Sequence, residues 1–357
     1  MIKKFTFTLA LWVMYITVCS QVPNDNPLKT RLDSIVNNAC INYFKNSKRV
    51  GFTLGFTASD KSYIYNYGET APGSGKMPSA KSIYEIGSIT KTFTGLLVAN
   101  AVLEGKLKLT DDIRKYLPSE FINFKYPNGE TVKVIYLLAH VAKLPKNFNE
   151  NNGQITERIF LENFRAIKLD TLKEFKYSYS NIGYQLLGYV LEKIYQMPYQ
   201  DLVQKYIANP LKMTNTKVSY EDNSQILRGY DKNKDEASAT LAAFPSAGGL
   251  RSNITDMLKY LKYQLESKDE LVKLTHRITS GDIDKEAHAI QWAIGKLWNW
   301  DYYLTTDGGT NGFRSFCIIY PDYKISFIIL SNQTDENAGG GLYRITAAIF
   351  NELKNSR

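Results

Sequence analysis

Gly87-Ser88-Ile89-Thr90-Lys91-Thr92-Phe93 is the stretch on which the reading of this chain turns. An apolar-periodic run follows it, so a helix is expected from Thr90 to Glu104. Residues three apart on a helix share a face, which brings the Ser88 hydroxyl to the Lys91 amine. Serine is a weak nucleophile until a neighbouring base takes its proton. A lysine is such a base only when neutral, so burial, a nearby cation or a hydrogen-bond network must lower its pKa. A helix start also offers oriented backbone N–H groups to developing negative charge. Alone, a Ser-x-x-Lys pattern is equally a capped, solvated helix start. Its meaning depends on what else the chain contains.

Two further clusters carry chemistry. Tyr177-Ser178-Tyr179-Ser180-Asn181-Ile182-Gly183-Tyr184 leads into a strongly periodic helix, Ile182 to Tyr195. Tyr179 offers a phenol able to relay a proton if a lysine depresses its pKa. Asn181 offers an amide that can hold a substrate carbonyl and orient a lysine. Read blandly, the same stretch is a helix cap with packed tyrosines. Thr306-Asp307-Gly308-Gly309-Thr310-Asn311-Gly312-Phe313 joins two expected strands. Its glycines let backbone approach a ligand closely. The Gly309 N–H is a candidate to pair with that of Ser88 in an oxyanion hole. A glycine-rich strand connection is the plainer alternative.

Working outward, Leu28 to Phe44 has helical periodicity. Gly51 to Ala58 and Lys61 to Tyr67 alternate as strands about a Ser59-Asp60 turn, and residues 70–80 form a Gly/Pro/Ser-rich loop. From Ile83 to about Leu265 the pattern is mainly helical. The last third turns to strands: Ile290–Trp298, Tyr302–Thr306, Phe313–Tyr320 and Tyr323–Ser331, the last pair joined at Pro321-Asp322. A final helix is expected from Leu342 to Leu353, entered through a flexible Ala338-Gly339-Gly340-Gly341. These patterns predict an α+β chain: one antiparallel sheet built from both ends, flanked by the terminal helices, with a large inserted helical region. Residues 21–80 and 271–357 form the sheet part and 81–270 the helical part, with a site expected between them.

The 357 residues carry a net charge of +9, or +7 without Lys3 and Lys4. The basic residues are scattered, which excludes a nucleic-acid footprint and leaves a mild attraction to anionic surroundings. Lys3 and Lys4 precede an apolar run from Phe5 to Val18, and Val18-Cys19-Ser20 suits a cleavage site. Residues 1–20 therefore read as a signal peptide, too short for a membrane span. The mature chain is expected in the periplasm or secreted, with a lipid anchor on Cys19 as the minor alternative. Cys40 and Cys317 remain, and each sits in an apolar-periodic segment, which favours two buried thiols over a disulfide. His140, His276 and His288 have no partner at zinc spacing, so no metal site is expected. His140 reads as a structural hydrogen-bonder.

In this order and spacing the three clusters resemble the penicillin-recognising serine hydrolases, in the branch of class C β-lactamases, D,D-carboxypeptidases and β-lactamase-like esterases. Glu104-Gly105-Lys106-Leu107-Lys108-Leu109-Thr110-Asp111-Asp112 and Pro245-Ser246-Ala247-Gly248-Gly249-Leu250-Arg251-Ser252 agree with it. The resemblance covers the mature chain and implies a β-lactamase/transpeptidase-like fold and an acyl-enzyme mechanism without a cofactor. It makes Ser88, Lys91 and Tyr179 the catalytic residues. Asn181, Thr306, Asp307, Gly308 and Gly309 become the substrate-binding ones, for a small-molecule or peptide acyl substrate, possibly peptidoglycan-derived. The third motif of that branch usually opens with Lys or His, then Thr or Ser. Here Thr306 and Asp307 stand instead, and a neutral ester or amide fits better than a β-lactam or D-Ala-D-Ala peptide. A true class C β-lactamase or D,D-carboxypeptidase is one alternative, and a non-catalytic cell-envelope binding or regulatory protein is another. A second departure is His140-Val141-Ala142-Lys143-Leu144, where the branch shows His-Thr-Ser-Gly-Leu.

Overall fold

The computed structural model describes residues 22–45, 49–148, 156–170, 176–238, 245–298, 301–334 and 338–355. The expected signal segment lies outside them. Helix α1 (Arg31–Lys45) precedes a hairpin of β1 (Gly51–Ala58) and β2 (Lys61–Gly68). Its turn residues Ser59 and Asp60 both have positive φ, 49° and 63°, the backbone twist that matches paired strands. Then come β3 (Tyr84–Glu85), a 3-10 turn (Gly87–Ile89), α2 (Thr90–Leu103), α3 (Val134–Leu138), α4 (Glu157–Arg165), α5 (Asn181–Tyr195) and α6 (Tyr199–Val203). The chain returns through β4 (Arg251–Ser252), α7 (Ile254–Glu266) and α8 (Glu270–His276). It closes with β5 (Ser280–Asp282), β6 (Glu286–His288), β7 (Ala293–Lys296), β8 (Tyr302–Gly309), β9 (Arg314–Tyr320), β10 (Ile325–Ser331) and α9 (Ala338–Asn355).

Eight strands form one antiparallel sheet in the order β2-β1-β10-β9-β8-β7-β6-β5. The two chain ends meet where β1 pairs with β10, from Phe52 opposite Ser331 to Thr57 opposite Ser326. All seven residues of β10 are buried, which is the pattern of a strand covered on both faces. Phe327 and Ile329 point to a layer containing Val36 and Cys40 of α1 and Leu342, Ile345 and Ile349 of α9. Ile328 and Leu330 point the other way, into the larger core with Ile254, Met257 and Leu261 of α7. Cys40 and Cys317 are both buried free thiols. They lie in different layers, on opposite faces of the sheet, so no disulfide joins them.

Several elements differ from the sequence patterns. Helix α2 is not amphipathic: eleven of its fourteen residues are buried, because it runs through the middle of the larger core and is covered on every side. Strands β5 and β6 were not expected; at three residues each they are too short to show an alternation. The same holds for β3 and β4, whose pairing (Tyr84 with Ser252, Glu85 with Arg251) brings residues 86–91 beside 245–250. Ala338-Gly339-Gly340-Gly341 is the first turn of α9 rather than a loose entry. The anchoring face of α9 starts at Leu342, fully buried, and packing of that face overrides the low helix propensity of glycine.

Lys143 has φ 54°, so the turn still takes the left-handed conformation although the side chain is no longer glycine. Most residues are strained there. Lys143→Gly is expected to raise stability by about 0.5–1 kcal/mol, the relief being partly offset by the freedom glycine gains in the unfolded chain. A urea midpoint at or below that of the unsubstituted protein contradicts this.

Candidate active site

Ser88 stands in the 3-10 turn Gly87–Ile89, which feeds directly into α2. Gly87 turns the chain at φ 50°, and a Cβ there would sit 2.6 Å from the backbone nitrogen of Gly309. The turn can therefore lie flat against β8 only because residue 87 has no side chain. Gly308 makes the reciprocal approach. A Cβ on it would overlap the Ile86 carbonyl and Ser315 Oγ and lie 3.0 Å from the Ser88 nitrogen. Strand β8 runs on past its β7 partner, whose last pairing is Ala293 with Thr305. Thr306–Gly309 thus offers an outer edge with no strand on it among the described residues.

Lys91 lies one turn into α2, as the i, i+3 spacing predicts, and its Nζ is 3.0 Å from Ser88 Oγ. It also donates to Asn181 Oδ1 at 2.7 Å and to the Ala247 carbonyl at 2.5 Å. The rings of Tyr179 and Tyr184 stand 4.9 and 5.7 Å from it. Its side chain is fully buried. Burial holds its pKa well below the ordinary lysine value; Asp307 opposes this and Lys146 adds to it. A neutral amine has two N–H donors and one lone pair. With Asn181 and Ala247 accepting two donors, the third position of Nζ faces Ser88 Oγ, where the protonated amine donates and the neutral amine would present its lone pair.

Tyr179 reaches Ser88 from the other side, its hydroxyl 2.5 Å from Ser88 Oγ. The segment before α5 is held by Ser180, whose hydroxyl donates to the Pro145 carbonyl at 2.7 Å and accepts from Gly183 N–H at 3.2 Å. Asn181 opens α5. Its amide nitrogen donates to Asn147 Oδ1 at 2.7 Å, which leaves Oδ1 as the end presented to Lys91. The Tyr179 phenol is partly buried. Burial pushes its pKa up, outweighing the lowering by its bond to Ser88. With its pKa raised, Tyr179 is placed as a protonated donor and not a phenolate. Lys91, Tyr179, Asn181 and the Ala247 carbonyl, from three separate segments, thus share one hydrogen-bonded cluster around the Ser88 hydroxyl.

The family model for beta-lactamase matches residues 36–349. The chain belongs to the beta-lactamase family. This is a family of serine hydrolases, and the fold agrees. A class C beta-lactamase from Rhodobacter sphaeroides superposes with a TM-score of 0.77 at 22% identity, over 90% of this chain and 99% of that one. In sequence the chain is 28% identical over 288 residues to Protein flp of Staphylococcus aureus (strain MRSA252), covering 76% of this chain and 57% of that protein. It spans little more than half the length of that relative. It is 25% identical over 322 residues to a Beta-lactamase of Providencia stuartii, covering 79% and 82%.

In this beta-lactamase family member the third motif is split by the pleat. Thr306 and Gly308 share one face, both buried, while Asp307 and Gly309 are exposed on the other. Asp307 is therefore turned from the Thr306 face, although its charge still reaches Lys91. Arg314, opposite Gly309 in β9, lays its guanidinium over that glycine and donates from Nε to Thr334 Oγ1 at 3.1 Å. Several contributors went unread in the sequence. Ala247 acts only through its carbonyl, which no side-chain pattern signals. Its loop is pinned by Thr94 Oγ1 donating to the Ser246 carbonyl at 2.7 Å and Leu250 N–H donating to Thr90 Oγ1 at 3.2 Å. Gly87 was legible as part of the opening stretch, but the reason for it lies in β8. No three His, Cys, Asp or Glu residues gather as a metal site among the described residues. No described helix is long and apolar enough to cross a membrane.

Proposed function

We propose that this beta-lactamase family member is an exported hydrolase that cleaves a small ester or amide through an acyl-enzyme on Ser88. The observation that carries this reading is the cluster in which Ser88 Oγ lies 3.0 Å from Lys91 Nζ and 2.5 Å from the Tyr179 hydroxyl. Lys91, neutral by burial, takes the Ser88 proton as Oγ attacks the acyl carbon. The N–H groups of Ser88 and Gly309 hold the oxyanion that forms. Tyr179, protonated, passes a proton to the leaving group; in deacylation it recovers one from the attacking water, and Lys91 returns its proton to Ser88 Oγ as the acyl bond breaks. Asn181 orients Lys91 and the substrate carbonyl, and water then releases the acyl group. The cleft runs along the free edge of Thr306–Gly309, between the sheet and the helical region, in one catalytic unit. Thr306 is uncharged and Asp307 is an acid, so a neutral acyl donor is favoured over one with a carboxylate at that edge. Residues 1–20 direct export and leave the mature chain in the periplasm or secreted.

A fluorophosphonate probe incubated with the mature chain is expected to add one label by intact mass, and Ser88→Ala to remove it. Absence of label on the wild type, or its persistence in Ser88→Ala, would falsify the reading. p-Nitrophenyl esters, nitrocefin and a D-Ala-D-Ala peptide compared side by side locate the substrate class. Faster turnover of either of the last two reassigns the protein to a β-lactamase or D,D-peptidase proper.

A further inference from the structure

The reaction groups assigned above leave out His140, the one buried histidine that touches Tyr179. Its ring lies 4.6 Å from the Tyr179 ring, tilted by 30°. His140 Nδ1 accepts the Ser180 N–H at 3.1 Å, and the His140 carbonyl accepts the Ser178 N–H at 2.6 Å. The backbone donors on both sides of Tyr179 therefore end on a single residue. His140 Nε2 is 3.0 Å from Oε1 of Gln291, which lies in the turn between β6 and β7. Tyr184 closes the far side of the ring at 5.0 Å.

The hydrogen bonds settle the tautomer. Nδ1 accepts, so the proton is on Nε2 and donates to Gln291. Burial pushes the His140 pKa down to about 3, so the imidazole is neutral and is no acid or base in the reaction. Its backbone sits at φ 54°, where asparagine is tolerated better than most residues.

We propose that His140 is a positioning residue: it fixes the Tyr179 phenol against Ser88 and ties that placement, through Gln291, to the sheet across the cleft. The proposal rests on the assignment of Ser88 and Tyr179 as reaction groups. The Tyr179–Ser88 contact is short, and a displacement of about 1 Å in such a group costs on the order of a hundredfold in rate.

Three variants test it. In His140→Asn the side-chain oxygen can take the place of Nδ1 and accept the Ser180 N–H. His140→Gln keeps a donor toward Gln291 but loses that acceptor, and His140→Leu loses both. Fluorophosphonate labelling of Ser88 and p-nitrophenyl ester kinetics are measured on each, with thermal midpoints. Gln and Leu are expected to lower kcat by about a hundredfold with KM within about threefold. Asn is expected to recover to within about tenfold of the wild type. Asn and Gln should melt together, which separates positioning from bulk stability. Wild-type kcat in His140→Leu, or equal losses in Asn and Gln, overturns the proposal. So does a crystal structure of His140→Leu with the Tyr179 hydroxyl still at its present distance from Ser88, whatever the activity. A wild type that is not labelled at all fails the functional reading instead, and the crystal structure then judges His140 by itself.

Discussion

Lys91→Met is expected to lower Ser88 acylation by about 10²–10⁴-fold, the usual contribution of a positioned general base. Methionine fills a similar volume and keeps the buried helix packed. It removes the lone pair aimed at Ser88 and leaves the Asn181 and Ala247 oxygens without their donor. The wild-type rate rises with pH as Lys91 loses its proton, because only the neutral amine accepts from serine. Burial places that rise well below the ordinary lysine range. Two charges tune it in opposite senses. Asp307 favours the protonated amine, so Asp307→Asn moves the rise to lower pH. Lys146 disfavours it, so Lys146→Met moves the rise to higher pH. Acylation rates across pH for the three proteins check both signs. A profile unmoved by either change removes Lys91 as the titrating base.

Gly308→Ala is expected to destabilise the protein by about 3 kcal/mol, at the upper end for an overpacked site, and to cut acylation by about a hundredfold or more. The added methyl meets the Ile86 carbonyl, Ser315 Oγ and the Ser88 nitrogen. Two of these are backbone in the segment that carries the nucleophile, which must move as a unit. Gly309→Ala, one residue on, is expected to be mild. Its methyl meets the end of the Arg314 side chain, with Cζ at 2.9 Å, and a flexible side chain can swing aside. Urea denaturation and fluorophosphonate labelling of the two variants distinguish them. Equal effects at 308 and 309 contradict the packing argument.

The legibility of the site followed the range of each contact. Ser88 and Lys91 were readable as a pair because a single helical turn joins them. Tyr179 and Asn181 were readable by type and order, yet their sequence separation from Ser88 and Lys91 is 91 and 90 residues, and no local pattern carries such a distance. The protonation of Tyr179 is not legible in the sequence for the same reason. Its pKa depends on how deeply the phenol is enclosed and on whether Lys91 is charged, and both are properties of the assembled core. His140 could be read as a hydrogen-bonder, but its partners Ser180 and Gln291 come from two other parts of the chain.

The fold was legible where strands are long and bounded by turn residues. The β1–β2 hairpin and β8 to β10 are seven or eight residues each, enough for period and turn residues to register. The two- and three-residue strands carry no period. They exist because the long strands leave an edge for them, or because β3 and β4 close the loop beneath Ser88. By itself, then, the amino-acid order determined the class of the fold, the Ser88–Lys91 pair and the candidates Tyr179, Asn181 and Gly309, since local spacing and residue type suffice for these. Only the tertiary structure decided that Lys91 is enclosed, that Ala247 accepts its proton donor, that Asp307 faces away from Thr306 and that His140 backs Tyr179. Protonation and orientation are set by low-dielectric burial and by groups 90 to 156 residues apart, and those exist only once the chain has closed on itself.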